Sequence, residues 1–276
     1  MKRRSRGIFP LILLLLLTVL LADSRFRLVT TEYRLQFDNL PPEFDGFRVV
    51  QLSDVHGAVY GKENARLLRA VEKAKPDLIA ITGDLADKNT DLTELDTLLA
   101  GLAELAPVWY VSGNHEWSEK LLGQLAPLLE RRGICRLAND YIPLERDGGH
   151  IVLAGVDDPN GPRDMETPDA LAARLRTEYP TEFVLLLGHR NDWTEKYPEL
   201  PVDLVLCGHA HGGVIRIPGV GGLLGTGRVL FPKHTAGIFA AETYRMLVSR
   251  GLGGSTAGIP RFCNNPEIVA VTLKTN

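Results

Sequence analysis

The sequence predicts an α/β fold whose last third differs from the rest. Short apolar runs and amphipathic stretches alternate through most of the chain, which is typical of βαβ units and a largely parallel sheet. Each run is rich in Val, Leu and Ile and is followed at once by Gly or Ser, as expected of strands buried on both faces. After residue 212 the runs are separated by Gly-rich loops, which predicts a second, mostly antiparallel sheet.

The apolar runs predict the strands, and the amphipathic stretches between them predict the helices. Five early strands are predicted, at residues 47–52, 77–82, 108–112, 182–187 and 203–207. Four helices are predicted, at residues 62–75, 91–106, 118–132 and 167–178. Pro76, Pro107 and Gly133 mark helix ends, and Thr167 with Pro168 supplies a cap and first turn. The later strands are predicted at residues 214–218, 228–232, 237–242, 245–249 and 267–273.

Residues 1–24 are predicted to be a membrane anchor or a signal segment, followed by a lead-in segment at 25–44. The apolar run 8–22 would span about 22 Å as a helix, short of the roughly 30 Å hydrocarbon core, and this length suits a signal peptide. The cleavage signal is poor, because Leu20 stands where a small residue is needed before Ala22. We expect an uncleaved anchor, with a cleaved signal and secretion as the alternative.

Charge is distributed unevenly. The chain has 276 residues and a net charge of −3. Four cations precede the apolar run: Lys2, Arg3, Arg4 and Arg6. They predict a cytoplasmic N-terminus and an extracytoplasmic body. Without them, 27 basic and 34 acidic residues remain, a charge of −7. An acidic body argues against nucleic-acid binding, and three cysteines are too few for a disulfide scaffold.

Polar residues follow each early strand, at the edge where ligands gather in open α/β sheets. Five of the seven histidines stand there: His56, His115, His189, His209 and His211. Any one alone would be interpreted as structural. Together with Asp54, Asp84 and Asn114 they indicate a metal site. Residues two apart in extended backbone point the same way, so the D-x-H and H-x-H pairs can each face one site.

The ligand number predicts two ions. The candidates are Asp54, His56, Asp84, Asn114, His189, His209 and His211. One ion takes about four to six ligands, and a catalytic site keeps one position open. Two ions that share a carboxylate would use all seven. Their identity stays open among Mn, Fe, Zn and Co.

These motifs resemble those of the calcineurin-like metallophosphoesterases. D-x-H, GD, GNHE, H and GHxH stand here as Asp54–His56, Gly83–Asp84, Gly113–Glu116, His189 and Gly208–His211. The resemblance assigns residues 45–276 to the metallophosphoesterase domain. Its segments 212–219, 249–253 and 261–268 resemble membrane-associated or exported bacterial members. The implied fold is a four-layer α/β/β/α sandwich of two mixed β-sheets flanked by helices, preceded here by an N-terminal hydrophobic helix.

The resemblance also implies roles. Asp54, His56 and His211 would hold one metal. Asn114, His189 and His209 would hold the other, and Asp84 would bridge the two. Catalysis would fall to His115 and Asp84, with Asn114, His115 and, as a weaker candidate, Arg190 binding substrate. Asp87 matches an acidic position near the site whose role stays open.

The implied activity is hydrolysis of phosphodiester or pyrophosphate bonds by a metal-bridged hydroxide, since paired cations lower the pKa of water towards about 7. Lipid-linked substrates suit an anchored enzyme, and some members cleave UDP-diacylglucosamine. A phosphomonoesterase and a non-catalytic metal-binding surface protein stay open. We expect a monomer.

Three other features have simpler interpretations. Cys207 is predicted to be a small buried residue and not a ligand. Arg190 could cap the following helix instead of contacting substrate. Lys233 and His234 are predicted to lie in a surface loop, with recognition of a phosphate group as the alternative.

Overall fold

The computed structural model describes residues 8–254 and 258–276. The basic residues Lys2, Arg3, Arg4 and Arg6 lie outside this range. The described helices are α1 (Ile8–Phe26), α2 (Ala65–Ala74), α3 (Leu92–Leu105), α4 (Asn114–Ser118), α5 (Leu122–Arg131), α6 (Pro168–Glu178) and α7 (Trp193–Lys196).

Fourteen strands are described. They are β1 (Val29–Phe37), β2 (Arg48–Leu52), β3 (Leu78–Thr82), β4 (Val108–Val111), β5 (Cys135–Arg136), β6 (Asp140–Arg146), β7 (Gly149–Gly155), β8 (Val184–Leu187), β9 (Leu204–Cys207), β10 (Ile215–Ile217), β11 (Gly221–Leu224), β12 (Gly237–Ala240), β13 (Arg245–Val248) and β14 (Glu267–Thr275).

Two six-stranded mixed sheets form the body. The first sheet has the order β1-β14-β2-β3-β4-β5, and all neighbours are parallel except β14 and β2. The second sheet has the order β12-β13-β9-β8-β7-β6, with antiparallel pairs only at its two edges. A separate antiparallel hairpin is formed by β10 and β11.

Three apolar cores separate four layers. Because side chains alternate across a strand, Val49 of β2 faces the core between the sheets, while Val50 faces the core beneath α2, α3 and α5. The second sheet divides in the same way: Leu185 of β8 packs between the sheets and Leu186 packs against α6 and α7. This confirms the predicted α/β/β/α sandwich with two mixed sheets.

The separate antiparallel sheet predicted from the last third is wrong. Its strands are shared between both sheets, since β13 pairs in parallel with β9 and β14 enters the first sheet between β1 and β2. The strand predicted at 228–232 is an exposed loop, joined to β11 only by an isolated bridge between Leu224 and Leu230. Periodicity marks strands but does not indicate which partner they pair with.

The predicted lead-in segment contributes to the first sheet. Residues 29–37 form β1 and pair with β14 over its whole length. Before it, α1 continues through Phe26, four residues beyond the apolar run 8–22. At about 1.5 Å per residue its 19 residues are about 28 Å long. Within the described residues, α1 alone is long and apolar enough to cross a membrane.

A buried amide joins the two sheets. The Gln51 side chain of β2 is fully buried and its Nε2 donates to Thr82 Oγ1 of β3 and to the Cys207 carbonyl of β9, both at 2.9 Å. Cys207 ends β9 in the second sheet, whereas Thr82 ends β3 in the first. The amide therefore fixes the carboxyl ends of the two sheets at the same level.

Replacing this amide should destabilise the fold. We expect Gln51→Leu to lower the free energy of unfolding by about 1–3 kcal/mol, because it leaves the buried Thr82 hydroxyl without its donor. Chemical denaturation of the full chain in detergent micelles measures this change. The matched control is Gln124→Leu on the exposed face of α5, expected to stay within about 0.5 kcal/mol of the parent. Equal stabilities for the two variants would contradict the inter-sheet role of Gln51.

Candidate metal centre

The carboxyl ends of five strands bring the predicted ligands to one edge of the sandwich. Asp54 and His56 follow β2, and Asp84 follows β3. Asn114 begins α4 directly after β4, while the remaining three histidines follow β8 and β9. Both sheets contribute, so the site lies where the two edges meet.

The backbone at this edge is strained. Five ligands have left-handed conformations: Asp54 (φ 50°), His56 (φ 47°), Asp84 (φ 49°), His209 (φ 66°) and His211 (φ 48°). Such conformations are uncommon for residues other than Gly and concentrate at functional sites. The turn between β4 and α4 also requires glycine at position 113, since a Cβ there would lie 2.3 Å from Asp84 Oδ1.

One group of ligands surrounds His56. Asp54, His56, Asp84 and His211 each place a donor atom within 4.8 Å of the others. His56 Nε2 lies 3.2 Å from His211 Nε2, and the latter lies 3.4 Å from Asp54 Oδ1. This is the set expected to hold the first ion.

A second group surrounds His189. Asp84, His189 and His209 also place donors within 4.8 Å of one another. His189 Nε2 lies 3.3 Å from Asp84 Oδ2, 3.1 Å from Asn114 Oδ1 and 3.2 Å from His209 Nδ1. Asp84 belongs to both groups, in the place expected of a bridging carboxylate.

The donor chemistry fits cations. The converging atoms are carboxylate oxygens, an amide oxygen and imidazole nitrogens. An imidazole nitrogen that carries no proton has a lone pair with which it can bind a cation. Asp54 and Asp84 are both buried, and buried carboxylates need compensating positive charge. Such a mixed N/O set suits Mn, Fe, Zn or Co. The residues present can therefore hold two ions that share Asp84.

Two of the candidate ligands, His189 and His209, also contact protein groups that are not candidate ligands. The other ring nitrogen of His189, Nδ1, lies 2.9 Å from the Thr82 carbonyl, so it carries the proton and leaves Nε2 facing the site. The far nitrogen of His209, Nε2, lies 3.2 Å from Arg190 Nη1. Arg190 in turn makes a two-pronged ion pair with buried Asp158, at 2.6 and 3.0 Å.

Arg190 therefore contacts the candidate metal ligand His209 and the Asp158 carboxylate, and neither contact caps the helix that follows. Its role in substrate binding stays a prediction. Asp158 was not predicted, because this residue lies in no motif and reaches the site only through the loop after β7.

Glu116 was also missed as a structural residue, although it belongs to the GNHE motif. Its buried carboxylate accepts four backbone N–H bonds, from Gly113, Asp84, Leu85 and Ala86. These donors come from the turns after β3 and β4, so the carboxylate holds Asp84 and Asn114 at a fixed separation.

His115 lies beside the metal ligands but outside both groups. Its backbone N–H donates to Asp84 Oδ1 at 2.9 Å, and its ring centroid is 4.9 Å from that of His56. His115 Nδ1 lies 3.1 Å from Glu119 Oε1, which leaves Nε2 available at the site. Glu119 stands four residues later, a spacing that could have indicated this pair.

Three other sequence predictions concern residues outside both donor groups. The Asp87 carboxylate accepts from its own loop, at Asn89 N (2.8 Å) and Thr90 Oγ1 (3.4 Å). Cys207 is buried under the outer helices, and burial raises the pKa of its thiol. Lys233 is exposed and pairs with Glu195.

Burial and charge decide which ligands are neutral. Burial and the nearby His189 lower the pKa of His209 to about 3, and burial lowers the pKa of His211 well below its usual value. Burial alone would also lower the pKa of His189, but the Asp84 carboxylate raises it to about 10. Without metal, His189 therefore keeps a proton that partly neutralises Asp84.

The comparisons with known proteins agree with this geometry. A model of the calcineurin-like phosphoesterase family matches residues 47–213, more than half of the chain. The chain belongs to the calcineurin-like metallophosphoesterases. It is therefore a metal-dependent phosphohydrolase, as the motifs predicted.

Three relatives of this metallophosphoesterase are informative. It is 32% identical to the uncharacterized metallophosphoesterase YkuE of Bacillus subtilis, over 89% of this chain and 85% of that protein. Phosphodiesterase YaeI of Escherichia coli is 30% identical over 87% and 86%. A transmembrane protein with metallophosphoesterase domain from Bos taurus is 28% identical over 99% of this chain and 64% of that protein.

Removing the shared carboxylate should remove metal. We expect Asp84→Asn to lower the metal content from two ions per chain to one or none, since the amide carries no charge for either ion. Elemental analysis of the purified full chain measures this. Asp87→Asn is the matched control, three residues along and outside both donor groups, and should keep both ions. Full metal content in Asp84→Asn would exclude a bridging role.

Metal affinity should rise with pH. Below its raised pKa of about 10, metal-free His189 is protonated, and an ion must displace that proton to bind Nε2. The apparent Mn²⁺ affinity should therefore increase by up to about tenfold per pH unit through the neutral range. Calorimetric titration in buffers of different ionisation enthalpy measures the proton release directly. A Mn²⁺ affinity that does not change with pH, and binding that releases no proton, would contradict the protonation of metal-free His189.

Proposed function

We propose that the protein hydrolyses phosphodiester or pyrophosphate bonds in lipid-linked substrates, of which UDP-diacylglucosamine is one example, at the outer face of a membrane. The observation that carries the hydrolytic part is Asp84, shared by two donor groups, with His115 beside it. A phosphodiester is favoured over a monoester because the YaeI relative is named a phosphodiesterase.

The membrane location rests on α1. This helix is long and apolar enough to span a bilayer, and the bovine relative is named a transmembrane protein. An anchor at the start of the domain would keep the catalytic edge close to lipid-linked substrates. The charge of residues 1–6 favours an extracytoplasmic body.

The residues of this chain have separate tasks in the reaction. Bound cations would supply positive charge for the phosphoryl oxygens and an activated water. The Asn114 amide nitrogen would donate a hydrogen bond to a phosphoryl oxygen, while the Asn114 amide oxygen lies beside His189 Nε2 in the second ligand group. His115 Nε2 would give a proton to the leaving oxygen, because Glu119 holds the opposite ring nitrogen.

Two model substrates test the reaction class. We expect the Mn²⁺-loaded full chain to hydrolyse bis-p-nitrophenyl phosphate faster than p-nitrophenyl phosphate, and Asp84→Asn to hydrolyse neither. Faster cleavage of the monoester would favour a phosphomonoesterase. No turnover of either ester by folded protein that holds two ions would favour a metal-binding role without catalysis.

His115 should matter for rate and not for metal content. We expect His115→Ala to lower kcat on the diester by about 10²–10⁴-fold, the range typical of general acid catalysis, with both ions retained. His150→Ala is the matched control, because His150 lies at the opposite end of β7. A loss of less than about tenfold with both ions present would exclude proton donation by His115.

A further inference from the structure

Outside α1, most of the exposed large apolar side chains lie in one segment of the described residues. Within residues 8–254 and 258–276, the large apolar side chains that are exposed outside α1 are Val59, Ile217, Val220, Val229, Leu230, Phe231 and Ile238. The five from Ile217 to Phe231 lie in the β10–β11 hairpin and the loop that follows it; we call them the apolar rim. Val220, Leu230 and Phe231 are each at least 64% exposed.

The apolar rim is connected to the end of α1. Phe262 pairs with the hairpin, donating from its N–H to Val214 O at 3.2 Å and accepting from Arg216 N at 3.0 Å. Three residues later, Asn265 Nδ2 donates to the carbonyl and the carboxylate of Asp23, at 2.8 and 3.0 Å. One short segment, 262–265, thus holds both the rim hairpin and the last turns of the apolar helix.

The apolar rim also borders the metal centre. A cleft of about 320 Å³ is lined both by the candidate metal ligand His209 and by Val229 and Pro232 of the rim loop. Asn191, Glu195 and Lys233 are among the other residues that line it. A molecule that covers the rim would therefore lie at the entrance of the site.

The rim loop has a local structure that displays apolar groups between cations. Phe231 has a φ of 48°, an uncommon conformation for a bulky residue, and it points its ring to solvent. Arg228 and Lys233 flank the sequence Val229–Pro232, and both are exposed, although Lys233 also pairs with Glu195. Apolar tips between exposed cations suit the headgroup region of an anionic bilayer, where long cationic side chains reach the phosphates.

We propose that the apolar rim inserts into the surface of the bilayer that α1 enters, so that the cleft beside His209 opens at the lipid headgroups. The occupant is the membrane, because the rim is continuous with a membrane-length apolar helix and because the rest of the described body exposes no large apolar side chain except Val59 and Ile238. The inference rests on the proposed membrane attachment, but not on which phosphate bond is cleaved.

Depth-dependent quenching tests the insertion. The full-length protein is reconstituted in vesicles of phosphatidylglycerol and brominated phosphatidylcholine. The bromine atoms of the phosphatidylcholine lie near the glycerol end of its acyl chains. An apolar interfacial surface lies about 5–10 Å into the headgroup boundary, so Phe231→Trp should be quenched at least about twofold more than the control. Leu230→Trp is a second probe, and the emission of the unmodified chain is subtracted.

The control is Glu145→Trp. Glu145 is exposed and pairs with His150 at the amino end of β7, opposite the metal-bearing edge. Equal quenching of probe and control in chains that sediment with vesicles would overturn the rim insertion and leave the anchor and the hydrolase intact. Chains that do not sediment would overturn both membrane contacts. Probe emission that changes only with protein concentration would overturn insertion in favour of self-association.

Discussion

The site depends on keeping two buried carboxylates, Asp54 and Asp84, within a few ångströms of each other. Placing two negative charges close together is unfavourable, and so is burying them. Other interactions in the fold must therefore stabilise the two carboxylates. Backbone amides do part of this: His209 N donates to both oxygens of Asp54, and His115 N donates to Asp84. The proton on His189 partly neutralises Asp84, and bound cations would supply the remaining compensation, so the same atoms that repel one another can form a binding site.

Holding those carboxylates in place requires the two sheets to end at the same level. Asp54 and Asp84 come from the first sheet and His189, His209 and His211 from the second. The buried apolar core between the sheets opposes their separation, and its close-packed side chains also resist sliding. Gln51 adds a directional hydrogen bond between the sheets, close to the ends of the strands that carry the ligands.

The candidate ligands are easier to find in the sequence than the order of the strands, for a physical reason. Buried parallel strands end in tight turns, so D-x-H, GD, GNHE and GHxH are local patterns that a sequence displays. Sheet order depends on pairings between residues far apart, and β13 and β14 could not be assigned to their partners from periodicity alone. Supporting residues such as Asp158 and Gln51 were missed because their importance lies in what they touch. Glu119 was accessible in principle, through its helical spacing from His115.

The position of β14 has a consequence for how the protein is made. This strand lies between β1 and β2, so β1 has no partner in the sheet until residues 267–275 have been synthesised. Until then β2, which leads into Asp54 and His56, is an edge strand with half of its backbone groups unpaired. The backbone pairing on both sides of β2, the strand that leads into the ligand edge, is thus completed only by the last strand of the chain.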